Sequence, residues 1–115
     1  MFPSPREFIQ HILDEIDYIL SQTKQTDLAT FKNDPTLQRA FVRSLEIIGE
    51  ASKQIPEDVR KLQNDIQWRK VAGMRDKLIH GYFGVDYTIV WDVAVNNLPA
   101  LQASFDELLK RITDR

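Results

Sequence analysis

Apolar residues recur along this chain at three- and four-residue spacing, with polar residues filling the positions between. Phe8, Ile9, Ile12, Leu13, Ile16, Ile19 and Leu20 form the first such stripe, and Asp14, Glu15 and Asp17 fall largely on the other side, the pattern of an amphipathic helix. Ser4, Pro5 and Glu7 stand just ahead of it, where a serine cap, a first-turn proline and a returning glutamate make a capping box. These signals predict a helix over 5–22. From Ser21 to Asn33 the chain turns polar and rich in Thr, Gln and Asp, a loop with room for one short helical turn. Asp34-Pro35 then repeats the cap-and-proline start. Leu37, Phe41, Leu45, Ile48, Ser52 and Ile55 carry the second stripe as far as Pro56, which disfavours helical geometry in the residue before it. A second helix over 35–54 follows. Gly49 lies inside it at a propensity cost of about 1 kcal/mol relative to alanine, and a close helix crossing is the reason to expect a glycine there. Glu57-Asp58, Val59 and Leu62 allow one or two further turns, with acidic groups suitably at their start.

Trp68, Val71, Ala72, Leu78 and Ile79 define a third long helix that stops at Gly81, since glycine readily takes the left-handed terminal conformation. Asp86 caps a last helix bearing Val90, Val93, Ala94, Leu98, Leu101, Phe105, Leu108 and Ile112. Pro99 kinks this helix without ending it, because the stripe continues in phase. No period-two strand pattern and no internal repeat interrupts the series. The expected fold is all-α, an antiparallel bundle of four to five helices with a kinked last helix, in one domain over 1–115.

Composition narrows the chemistry. A chain of 115 residues with 28% charged and 43% hydrophobic residues suits one ordinary globular domain. It has no cysteine and two histidines, so disulfides, thiolate nucleophiles and thiolate metal sites are excluded and a histidine cage is nearly so. We therefore expect no cofactor and no metal. The absence of a 20-residue apolar run and of an N-terminal leader pattern gives the expectation of no membrane association and a cytoplasmic protein. A net charge of −2 argues against the whole chain acting as a polyanion adhesive. That charge is unevenly placed: residues 1–59 carry −4, residues 60–80 carry +4 and residues 81–115 carry −2. Arg60, Lys61, Arg69, Lys70, Arg75 and Lys77 make the only basic segment, which suits a phosphodiester substrate without requiring one.

On an uninterrupted helix starting at Trp68, Arg75 falls within the apolar stripe. Burying a guanidinium without a partner costs several kcal/mol, so something anionic should meet it. Three readings remain open: an internal salt bridge to Glu46 or Glu50, a side chain that snorkels to the bundle edge, or an anion-binding residue. Asp76 and His80 are four residues apart, so the carboxylate can orient the imidazole. A histidine at a helix C-terminus is also favoured in its protonated form by the helix dipole, which is either its purpose or a by-product of a proton-transfer role.

The run Trp68-Arg69-Lys70-Val71-Ala72-Gly73-Met74-Arg75-Asp76-Lys77-Leu78-Ile79-His80-Gly81-Tyr82-Phe83-Gly84-Val85-Asp86 resembles the signature of the HEPN superfamily, in its HepT-like branch. Leu45-Glu46-Ile47-Ile48-Gly49-Glu50-Ala51, Val90-Trp91-Asp92-Val93 and Leu98-Pro99-Ala100-Leu101 resemble further blocks of that branch, so the likeness spans most of the chain. Its specific part is Arg75, four residues, His80, one residue, Tyr82. The resemblance implies a homodimer that cleaves RNA without metal, the toxin of a type VII toxin–antitoxin system. Its antitoxin would be a minimal nucleotidyltransferase of the MntA type, and whether the two assemble into a larger hetero-oligomer is left open by the sequence. Arg75 and His80 would be catalytic, Asp76 would orient the imidazole, and Tyr82 would be the site of adenylylation. Relatives often carry Asn where this chain has Asp76. Arg69 and Lys77 are candidates for flanking RNA phosphates, and Tyr87 for support of the cleft. A non-catalytic HEPN module that binds or regulates a nucleotidyltransferase is the alternative, and a purely structural dimerisation domain a third.

Overall fold

A computed structural model describes residues 3–78 and 84–113, and the described residues are helical with short connections. Helix α1 spans Pro5–Thr23, and the Ser4 side chain accepts from the Glu7 N–H at 3.3 Å, the serine half of the expected capping box. The polar connection contains the short α2, Leu28–Phe31, capped by Asp27. Helix α3 spans Pro35–Lys53 and is capped by Asp34. The short α4, Glu57–Arg60, follows Pro56. These bounds agree with the periodicity to within a residue or so.

The core lies where α1, α3 and the last helical segment meet. Ile9, Ile12, Ile16, Ile19, Phe41, Leu45, Ile48, Leu98, Phe105 and Leu108 are fully buried, each contributing about 1.5–3 kcal/mol through loss of apolar contact with water. Phe31 anchors the polar connection to this core. Its ring lies 4.9 Å from Phe41 and 5.4 Å from Trp91, which ties α2 to both α3 and the start of the last helix.

Two elements differ from expectation. The third long helix is broken into α5, Trp68–Ala72, and α6, Met74–Leu78, with Gly73 between them at φ −91° and ψ 13°. Glycine occupies this sparsely populated conformation at little steric cost and supports a helix interior poorly. The last helix begins at α7, Tyr87–Asp92, capped by Asp86, and ends as α8, Leu98–Thr113. Between them the chain is a π-helix over Val93–Asn97, in which the Leu98 N–H bonds to the Val93 carbonyl five residues back. The irregularity expected at Pro99 is thus taken up one turn earlier: the widened turn leads into a residue that has no N–H to donate. None of the helices among the described residues is long and apolar enough to cross a membrane.

Candidate functional site

The basic segment is held to the bundle from beneath. Gly49 faces the end of α5, and a Cβ there would lie 3.2 Å from the Val71 carbonyl oxygen and 3.3 Å from that of Ala72. The close crossing anticipated from the sequence is therefore real, and it is made by backbone atoms with no room to swing aside. Val71, Met74 and Leu78 turn inward and are buried. The Trp68 Nε1–H donates to the Gln63 carbonyl at 3.2 Å, and its ring meets Phe105 edge-on at 5.5 Å. At the far end, the Asp86 N–H donates to the Leu78 carbonyl at 3.1 Å, so the chain returns to the end of α6 before α7 begins.

Because Gly73 interrupts the helix, the angular phase counted from Trp68 does not carry through to Arg75. Within α6 the inward side is set by Met74 and Leu78. On this short helix Asp76 then points outward, with Arg75 on one flank and Lys77 on the other. All three are exposed. This corrects the placement of Arg75 on an apolar stripe. It also removes the internal salt bridge: Glu46 pairs with Arg43 at 3.7 Å, Glu50 is exposed, and among the described residues Arg75 has neither an ion pair nor a hydrogen bond. His80 and Tyr82 lie outside the described residues. Tyr87 is half-buried with its ring edge-on to Phe31 at 6.4 Å.

Not every basic residue is free. Arg60 donates to the carbonyls of Ile55, Ser52 and Lys53 at 2.8–3.3 Å and lies over the Trp68 ring at 5.7 Å. It closes the C-terminal end of α3, where unpaired carbonyls accumulate, and is withdrawn from the phosphate-attracting surface. Arg69, Lys70 and Lys77 instead line a groove of about 630 Å³ between α5–α6 and the π-helix and α8. Asp65 stands at its edge, accepting from Gln63 Nε2 and Ser104 Oγ, each at 2.7 Å. These two bonds, the serine first, hold the Asp65 carboxyl below the usual carboxylate range. Among the described residues, no group of three or more His, Cys, Asp and Glu side chains is arranged to hold a metal ion.

Comparison with known proteins agrees with the motif. Residues 12–108 match the family described as "Ribonuclease HepT-like". This chain belongs to the HepT-like family. It is 44% identical to "Putative RNase TTE0752" of Caldanaerobacter subterraneus, over 94% of this chain and 96% of that protein. It is 41% identical to "Putative RNase MJ0125" of Methanocaldococcus jannaschii, over 96% and 95%. To "Probable ribonuclease HepT" of Thermococcus cleftensis it is 42% identical, over 93% and 97%. No solved structure matches at a significant level. The all-α architecture is that expected of a HepT-like chain. What sequence reasoning missed in this HepT-like fold is Asn97, whose position on the groove depends on the π-helix, and the Asp65–Ser104 link across 39 residues of chain.

Proposed function

We propose that this HepT-like chain is a metal-independent endoribonuclease acting as a homodimer. In this reading Arg75 binds the scissile phosphate and His80 carries protons. The observation that carries it is the state of Arg75: a charged side chain on an outward flank of α6, uncommitted to any carboxylate among the described residues. A guanidinium offers a planar fork of donors suited to two phosphate oxygens. As the ribose 2′-oxygen attacks phosphorus it gives up its proton, negative charge builds on the non-bridging oxygens beside Arg75, and the departing 5′-oxygen takes up a proton. One imidazole serves one of these transfers, and a second copy of the chain supplies the other. Asp76, four residues before His80, orients the imidazole.

The chain is further proposed to be the toxin of a type VII pair whose nucleotidyltransferase antitoxin adenylylates Tyr82. The tyrosine oxygen would attack the α-phosphorus of ATP with loss of pyrophosphate. Each adenylyl group then adds a negative phosphodiester where the RNA phosphate must bind. The motif spacing supports this, since Tyr82 follows His80 by two residues.

RNA cleavage in EDTA by the wild type, Arg75→Ala and His80→Ala tests the chemistry. A loss on the order of 10²-fold or more in each variant is expected, and unchanged cleavage in both overturns the mechanism. Mass spectrometry of the chain co-produced with its partner tests the regulation: adducts of adenylate mass at Tyr82 are expected, and growth arrest relieved by a partner that leaves no adduct contradicts modification.

A further inference from the structure

The groove beside α6 is on the opposite flank from Arg75. Its floor includes Val71, Met74 and Val93, which are 5%, 8% and 2% exposed. Ala100 and Leu101 of α8 add apolar surface that remains open. Around this apolar surface the groove presents charge and polarity. Arg69, Lys70 and Lys77 lie along one wall, exposed and, among the described residues, without ion pairs. Asn97 projects from the π-helix opposite, its amide without a hydrogen-bond partner among the described residues. Asp65, the acidic residue of the lining, already has both carboxylate oxygens occupied by Gln63 and Ser104.

Three cations without ion-pair partners against a single carboxylate, with an amide lacking a hydrogen-bond partner on the other wall and an apolar floor between, match a nucleotide: phosphate on one side, a flat base on the floor, and its polar edge toward the amide. A volume of about 630 Å³ lies within the ordinary range for sites that hold small molecules. We infer that this groove is a single-stranded RNA subsite, in which one base lies on the floor with its edge at Asn97 while Lys70 and Lys77 hold the phosphates beside it. It deepens the ribonuclease reading and rests on it for the identity of the polymer. A strand bound both here and at Arg75 crosses the crest of α6 over Asp76, whose carboxylate repels it. The base in the groove therefore belongs to a nucleotide some distance along the strand from the scissile phosphate.

The test is equilibrium binding, measured by fluorescence anisotropy on the His80→Ala protein so that the probe stays intact. The probes are labelled octauridylate, an abasic ribose-phosphate octamer of the same charge, and octaglutamate. Octauridylate is expected to bind more tightly than the abasic octamer by roughly threefold to tenfold, and Asn97→Ala to erase that advantage. The double substitution Lys70→Ala, Lys77→Ala should lower the slope of log affinity against log salt by about 1.4, since each single-strand phosphate contact contributes about 0.7. These residues are exposed, so the variants should fold, which circular dichroism confirms before binding is measured. The inference is overturned if the abasic octamer binds equally well, if octaglutamate binds as tightly as octauridylate, or if the lysine variant keeps the wild-type salt slope. These readouts do not depend on cleavage. Failure of the catalytic variants would sink the ribonuclease reading while leaving the groove result intact, and the reverse also holds.

Discussion

The inward and outward sides of α5–α6 are built on opposite terms. Inward, Val71, Met74 and Leu78 are buried and the backbone sits against Gly49 with contacts near 3.2 Å. Outward, Arg69, Lys70, Arg75 and Lys77 reach solvent with no carboxylate partner among the described residues. In the same fold Arg43 pairs with Glu46, Arg111 with Glu107, and Arg60 closes the end of α3. Arg6, Lys24, Lys32, Arg39, Lys53, Lys61 and Lys110 likewise have no ion pair among the described residues, so what distinguishes α5–α6 is that four unpartnered cations stand together on one short segment. A short segment is thus fixed in position by one face while its other face carries no structural commitment among the described residues, with Gly73 separating the two turns so that each presents its own flank.

Substitutions on the buried side should act on stability. The largest effect is expected for Leu78→Ala: the side chain is fully buried, and such truncations cost about 2–5 kcal/mol. Denaturant titration should show a lower midpoint with an unchanged slope. Gly49→Ala comes next. Overpacking against immovable backbone costs about 1–3 kcal/mol and the gain in helix propensity returns about 1 kcal/mol. A net loss near 1 kcal/mol should lower the melting temperature by roughly 4 °C. RNA cleavage should fall as well, because α6 rides on that contact. An unchanged melting temperature would show that the crossing has slack.

Changes on the outward side should act on binding. Asp76→Asn removes a carboxylate between Arg75 and Lys77 and is expected to tighten single-stranded RNA binding by up to about fivefold, the scale of one exposed charge, with the gain fading as salt rises. Weaker binding would mean that the strand does not cross α6. The smallest effect concerns the groove edge. Because hydrogen bonds from Ser104 and Gln63 lower the Asp65 pKa below 3.8, its contribution to stability is present above that unfolded value and is lost as pH falls through the lower folded one. Ser104→Ala should accordingly be less stable than wild type near neutral pH, with the gap closing below about pH 4. A gap independent of pH would assign the loss to packing.

Much of this was readable from the chain. Ser4-Pro5, Asp34-Pro35 and Asp86 announce helix starts because their side chains satisfy orphan N–H groups locally, and the stripes of α1 and α3 announce their buried faces because burial follows the helical period. Gly49 was legible as a crossing point. The flank taken by Arg75 was not: angular phase on a helical wheel survives only while the helix is unbroken, and a glycine such as Gly73 can either sit inside a helix or end it, depending on tertiary contacts. The π-helix was hidden for a similar reason. Pro99 signals a disturbance, but the turn that absorbs it is chosen by packing of Val93, Ala94 and Leu98 into the core. Arg60 looked like part of a basic surface because sequence gives charge without direction.

The most direct measurement pairs catalysis with stability for Arg75→Ala: initial rates of RNA cleavage and thermal melting on the same preparation. We predict a fall in rate on the order of 10²-fold or more with a melting temperature within about 2 °C of wild type, as befits an exposed side chain away from structural features. A melting temperature that drops while the rate per folded molecule stays the same would contradict the account and return Arg75 to a structural role.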